Sequence, residues 1–394
     1  MRIAYLVDYC PSVSDDAVGC EIAGAQAAGL EVLRFPIWTP GRSQAGNGLP
    51  SRQASATAAR SGECALALFS AGLRRPRSFV RALIVTIGSM RRDRRHRMRH
   101  MSYLAQACRV AARARDLAHV HAQSGVGPSC VARLVHRLVG TPYSFTADDP
   151  GLFDEPVALE LEAQIADACF VIGGDSFSRS QLMRWSAAEN WSRIHVLGAA
   201  VDPLLLTDVP YMRRELPLLC CITPRRAEKA LGLLIDATAE LARRGVDFRL
   251  TLLGDGGMND AISTMIAARS LEHSVSVIAN VDAAEVRDSL LSARAMVLPS
   301  FTETVPSEIL EALAMRTPVI VSQIAGTPEL ADDSCAWLVP VGSADRLAEA
   351  MEAALAASPA ALEIMGAAGR ARVLEHHDSR RNGVALAARI RAGC

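Results

Sequence analysis

The stretch Pro299-Ser300-Phe301-Thr302-Glu303-Thr304-Val305-Pro306-Ser307-Glu308-Ile309-Leu310-Glu311-Ala312 follows a short apolar run, Ala295–Leu298. A run of four apolar residues ended by a proline reads as a buried strand, and Ile309, Leu310 and Leu313 then recur at helical spacing. The passage is therefore a strand, a loop and a helix beginning near Pro306, where proline suits the first helical position. Glu303 lies in the loop, and Glu311 lies off the apolar stripe of the helix. A helix start offers unpaired N–H groups and a positive dipole end, which suit a diphosphate. A carboxylate before the helix and another within it can accept hydrogen bonds from the hydroxyls of a sugar or a ribose.

Outward from this stretch the same alternation continues. Strand candidates are 3–7, 31–37, 118–122, 143–146, 169–172 and 195–197 in the first half. In the second half they are 216–222, 248–253, 275–278, 295–298, 319–322 and 337–339. Helical patterns separate most of them, which predicts an α/β protein with parallel sheets and ligands beyond the carboxyl ends of the strands. A chain of 394 residues exceeds what one core usually holds. We expect two Rossmann-like parallel-sheet domains facing a cleft, residues 1–205 and 206–378, with a hinge between 201 and 217. A basic C-terminal helix, 379–392, is expected to pack back on the first domain. Residues 40–62, rich in Gly, Ser, Ala and Gln, read as a loop.

A second stretch, Thr223-Pro224-Arg225-Arg226-Ala227-Glu228-Lys229-Ala230-Leu231, follows the 216–222 strand and opens a long helix. Of the 42 Lys and Arg residues in the chain, Lys229 is the sole lysine. Cations are disfavoured at a helix start, so Arg225, Arg226 and Lys229 there call for a functional explanation rather than chance surface charges.

Composition excludes several classes. Charged residues make up 21% and the formal net charge is zero, which gives no case for nucleic acid as a partner. The best apolar run, 64–73, is cut off by Arg74, Arg75 and Arg77 and is too short to span a bilayer. The ten cysteines form no C-x-x-C pair and are expected to be reduced, as in a cytoplasmic protein. No metal site is expected, because D-x-D is absent and the histidines lack ligand spacing. Residues 71–100 carry Arg74, Arg75, Arg77, Arg81, Arg91, Arg92, Arg94, Arg95, Arg97 and Arg99. They read either as a solvated helical face or as a patch, Arg74 to Arg99, for anionic headgroups at the inner face of a membrane or for a lipid-phosphate acceptor. Such attraction is worth ~1 kcal/mol per basic residue.

The segment around Glu303 and Glu311 resembles the P-S-x-x-E-G-x-P-x-x-x-x-E-A element of family 4 glycosyltransferases, which have the GT-B fold. Lys229-Ala230-Leu231 resembles the K-G-L of their G-R-x-x-x-x-K-G-L, Leu253-Gly254-Asp255-Gly256 their V-G-D-G-P turn, and Gly326-Thr327-Pro328-Glu329-Leu330 their G-G-x-P-E-L. In the first half, Pro142-Tyr143-Ser144-Phe145-Thr146-Ala147 resembles P-Y-S-F-T-A of exopolysaccharide (colanic-acid-like) members. The resemblance implies a retaining, metal-independent glycosyltransferase. Its substrate would be a UDP- or GDP-linked sugar, with no further cofactor, and its acceptor a glycan, a lipid-linked glycan or a small molecule. By resemblance Glu303 contacts the transferred sugar and Glu311 the ribose. Arg225 (or Arg226) and Lys229 grip the diphosphate, and Gly254, Thr304, Val305, Pro306 and Ser307 line the nucleotide.

The sequence departs from the family at Asp148, which stands where a histidine is expected, and at Gly151, which replaces an aspartate. Asp148 is read as orienting or deprotonating an acceptor hydroxyl. Thr304 replaces a glycine, and Glu308 adds an acid near the expected phosphates. These departures leave a second reading, a non-catalytic GT-B nucleotide-binding protein or the partner of an active transferase. A GT-B epimerase is third, since the glutamate pair matches transferases better.

Overall fold

The computed structural model describes residues 1–7, 17–37, 61–113, 116–123, 126–147, 151–199, 201, 203–207, 209, 211–224, 227–254, 259–279 and 281–393. Twelve strands are present among them. They are β1 (Arg2–Val7), β2 (Glu31–Pro36), β3 (His119–Gln123), β4 (Tyr143–Ala147), β5 (Phe170–Gly173) and β6 (Ile194–Val196), then β7 (Leu218–Ile222), β8 (Arg249–Leu253), β9 (Val275–Ile278), β10 (Ala295–Leu298), β11 (Val319–Ser322) and β12 (Ala336–Val339). They form two six-stranded sheets, ordered β2-β1-β3-β4-β5-β6 and β12-β11-β10-β7-β8-β9. Every pairing is parallel. Strands such as β4 and β10 are buried along their whole length, because helices cover both faces of a parallel sheet.

The chain divides into two compact units. The N-terminal unit holds β1 to β6 and the last helix, Ser379–Ala392, and the C-terminal unit holds β7 to β12. The chain leaves the first unit after Ala200 and returns to it at Ser379. Within the second unit, the Val201 N–H donates to the His377 carbonyl at 3.0 Å, and Val201 bridges Asp378.

Leu386, Ala387 and Ile390 of the last helix join Ile3, Tyr5, Val7 and Ile22 in one apolar cluster. The last helix crosses Ala17–Ala27 at two glycines. A Cβ on Gly383 would stand 2.0 Å from the Glu21 carbonyl oxygen, and one on Gly24 would stand 2.4 Å from that of Arg380. Side chains at these positions would hold the two backbones apart.

Two expectations need correction. Ser61 already begins a helix, Ser61–Arg74, so the loop expected over 40–62 ends sooner; the rest of it, 40–60, lies outside the described residues. Cys169 is disulfide-bonded, against the expectation of reduced cysteines; isolated cysteines carry no spacing that announces a partner. Cys220 and Cys221, by contrast, are thiols outside any disulfide and are buried in β7.

Candidate nucleotide-sugar site

In the second sheet β7 is flanked by β8 on one side and β10 on the other. Strand order reverses between β7 and β10, and loops leaving the carboxyl ends of such a pair diverge and open a crevice. The two stretches singled out by sequence leave those two strands. Thr223 follows β7, and Pro299 to Pro306 follow β10.

After β7 the chain passes Pro224 and re-enters the described residues in a single 3-10 turn, Ala227–Lys229. Ala230 then takes a left-handed conformation (φ 51°), and the long helix Leu231–Arg243 begins. Lys229 therefore does not open the long helix, as expected from sequence, but stands in a separate turn ahead of it. The loop after β10 is tied to that turn, since the Phe301 N–H donates to the Glu228 carbonyl at 2.8 Å. The helix there is Ser307–Ala314, with Pro306 as its N-cap rather than its first residue; no side chain caps it, and Glu308 lies in its first turn.

The two loops meet at Lys229. Its ammonium donates to Glu303 Oε1 at 2.6 Å and to Glu308 Oε1 at 3.2 Å. The Thr223 hydroxyl donates to Glu308 Oε1, also at 3.2 Å. These three charged side chains are only 10–14% exposed. Burial works against the ammonium, yet the charges of Glu308 and Glu303 and their hydrogen bonds outweigh it and hold Lys229 above the ordinary lysine pKa. Burial lifts the Glu303 carboxyl above the usual range, against the pull of Lys229. Gly254, which follows β8 at φ 133°, lies against the first loop: a Cβ on it would be 2.2 Å from the Thr223 carbonyl oxygen.

The structure thus brings Lys229 and Glu303 together and places Gly254 beside Thr223. Thr304 and Pro306 are buried in the β10 loop, Val305 is half-buried, and Ser307 is exposed at the helix start. Glu311 is half-buried one turn beyond Glu308. Arg225, Arg226 and Asp148 lie outside the described residues. Gly151 begins a short helix, Gly151–Asp154, in the other unit. Sequence reading marked Glu308 only as an added acid and missed Thr223; neither shows its role until the β7 and β10 loops are seen side by side. Among the described residues, no three His, Cys, Asp or Glu side chains gather as metal ligands.

Residues 213–372 match the family profile described as glycosyl transferases group 1. Among curated proteins, the chain is 33% identical over 168 residues to the amylovoran biosynthesis glycosyltransferase AmsK of Erwinia amylovora, covering 40% of each chain. It is 26% identical over 257 residues to the alpha-D-kanosaminyltransferase of Streptomyces kanamyceticus, 59% of this chain and 66% of that one. The match spans about two fifths of the length of AmsK. Among solved structures, sucrose-phosphate synthase from Thermosynechococcus elongatus superposes with a TM-score of 0.74 at 16% identity, over 100% of this chain and 99% of that one. HepE of Anabaena, solved with UDP, gives 0.69 at 15% identity over the whole of both chains. The chain has the GT-B fold, and its residues 213–372 form a glycosyltransferase group 1 domain.

Proposed function

We propose that the protein is a retaining glycosyltransferase that moves a sugar from a UDP- or GDP-linked donor to a glycan, lipid-linked or small-molecule acceptor. The observation that carries this reading is the meeting of Lys229 and Glu303 at the β7/β10 switch point, beside the start of the helix Ser307–Ala314. As the bond from the anomeric carbon to the donor phosphate breaks, its electron pair goes to the β-phosphate oxygen. Lys229 is the cation that answers the charge building there, and the amide-rich helix start adds to it. Glu303, released from the ammonium, accepts hydrogen bonds from sugar hydroxyls, and Glu311 reads the ribose. Arg225 assists at the diphosphate, and Asp148 orients the acceptor hydroxyl. The departing phosphate takes the acceptor proton on the same face, which retains anomeric configuration. The similarity to the amylovoran biosynthesis glycosyltransferase AmsK and to the alpha-D-kanosaminyltransferase supports the reaction class.

Lys229→Ala tests it. Transfer should fall by about a hundredfold while the thermal melt stays near wild type. An unchanged rate removes Lys229 from the chemistry.

One observation favours a second reading, that of a nucleotide-binding partner without turnover: in this state both carboxylates already occupy Lys229. Titration with UDP- and GDP-sugars, followed by assay for released nucleotide with and without acceptors, separates the two. Binding without release supports the second.

No helix among the described residues is long and apolar enough to cross a membrane. We place the protein in the cytoplasm, with Arg74 to Arg99 making peripheral contact with an acidic membrane face.

A further inference from the structure

The arginine-dense stretch folds into three helices, Ser61–Arg74, Pro76–Arg92 and Arg97–Arg113. A surface helix ordinarily turns apolar residues inward and polar ones outward. The first two are apolar on both sides. Inward, Ala67, Leu68 and Ala71 of the first, and Phe79, Ala82 and Leu83 of the second, join the core of the N-terminal unit. Outward, Leu66, Phe69 and Leu73 recur at i, i+3 and i+7 and are 68, 70 and 74% exposed. Val80, Ile84 and Ile87 recur at i, i+4 and i+7 on the second helix and are also exposed. Two adjacent helices with outward apolar stripes exceed the scatter of single apolar residues found on ordinary surfaces.

Exposed charge at the two ends of the second helix has one sign. Arg74, Arg75, Arg77 and Arg81 are exposed where the two helices join, and Arg91, Arg94, Arg95 and Arg97 at the far end of the second. Seventeen residues of helix separate these ends by roughly 25 Å. From Leu66 to Arg113 the sequence holds one acid, Asp93, which is buried and engaged by His96, Arg99 and His100. At the junction a hollow of about 380 Å³ is lined by Arg75, Ser78, Arg81, His136, Arg137 and Gly140. Arg137 is held by Asp167; Arg75 and Arg81 make no ion pair with a described residue.

From these observations we infer that the helices Ser61–Arg74 and Pro76–Arg92 form an amphipathic docking surface that inserts into a bilayer rich in anionic lipid. Leu66, Phe69, Leu73, Val80, Ile84 and Ile87 enter the acyl boundary. The flanking arginines hold headgroup phosphates, one of them in the hollow at Arg75 and Arg81. This develops the peripheral contact of the proposed function from surface attraction into insertion, and it rests on that reading.

Full-length protein is sedimented with phosphatidylcholine vesicles, with and without phosphatidylglycerol, as wild type, as Phe69→Ser/Ile84→Ser, and as Arg74→Ala/Arg77→Ala/Arg81→Ala. Wild type should bind the anionic vesicles and hold on at raised salt. The apolar double variant should bind about a hundredfold more weakly, although its thermal melt and its UDP or GDP binding, both read in parallel, are unchanged. The inference is overturned if the double variant binds like wild type while the arginine variant does not, in which case arginine attraction alone remains. It is overturned equally if wild type binds neither vesicle. Elution of wild type as a dimer that the double variant dissolves assigns the stripes to a second copy and also overturns it. Failure of wild type to bind UDP or GDP counts against the transferase reading and leaves the vesicle result standing.

Discussion

Lys229, Glu303 and Glu308 confine one positive and two negative charges within hydrogen-bonding distance, largely out of water. A diphosphate reaching this point must draw the ammonium away from at least one carboxylate. In the proposed reaction Glu303 has a use afterwards, on the sugar, but Glu308 has none. It stands in the first turn of the helix Ser307–Ala314, where an acid is favoured by the helix dipole and where it repels phosphate. Glu308→Gln keeps the shape and an acceptor for the Thr223 hydroxyl while removing the charge. Isothermal titration with UDP or GDP should show binding tightened by about tenfold, or about 1.4 kcal/mol. A tenfold weakening would instead make Glu308 the residue that aims Lys229. Sequence named Lys229 and Glu303 for one site, by chemistry, and the structure brings the two side chains together. The sequence could not show them paired with each other, because 74 positions separate them and only the parallel crossover brings their loops together.

Among the elements, strands were the most legible in the sequence. Parallel strands buried on both faces read as uninterrupted apolar runs, and every run read from the sequence overlaps an observed strand. Local endings were less legible. Ala230 gave no sign of its left-handed backbone; K-G-L in the related family places glycine at that position. For alanine this conformation costs about 1 kcal/mol, so Ala230→Gly should raise the midpoint of thermal unfolding by a few degrees. A lowered midpoint would mean that the lost methyl, 3% exposed, packs more than the strain costs. Position, not identity, also explains Gly383. Nothing in its sequence context marks it, yet its Cβ direction runs into the Glu21 backbone. Gly383→Ala should push the last helix off Ala17–Ala27 and destabilise the protein by about 1–3 kcal/mol, read as a lower midpoint in calorimetry. No change would show that the crossing is loose.

Over the whole molecule the two units differ in how they meet acid. His119 and His121 on β3 lie inside the N-terminal unit, 3% and 0% exposed, where both nitrogens face the Ser144 hydroxyl at 2.7 and 2.9 Å. Burial drives His119 down to about 4, and burial with the neighbouring His119 drives His121 down to about 3. Both are therefore neutral when folded and take up protons on unfolding once the pH is below about 6.5. The unfolded state then binds more protons, so stability rises with pH through this window and is lost as pH falls from about 6.5 towards 4. The limit is about 1.4 kcal/mol per pH unit for each histidine. Burial pushes His100 and His195 of the same unit in the same direction. Among the described residues the C-terminal unit buries one histidine, His377, while His273 and His376 are exposed. Lowering the pH from 7 to 5 should therefore melt the N-terminal unit first and split calorimetric unfolding into two steps, with nucleotide binding by the C-terminal unit outlasting the first. His119→Asn/His121→Asn should flatten that slope. A single transition moving equally in wild type and variant would show that the burden of acid lies elsewhere.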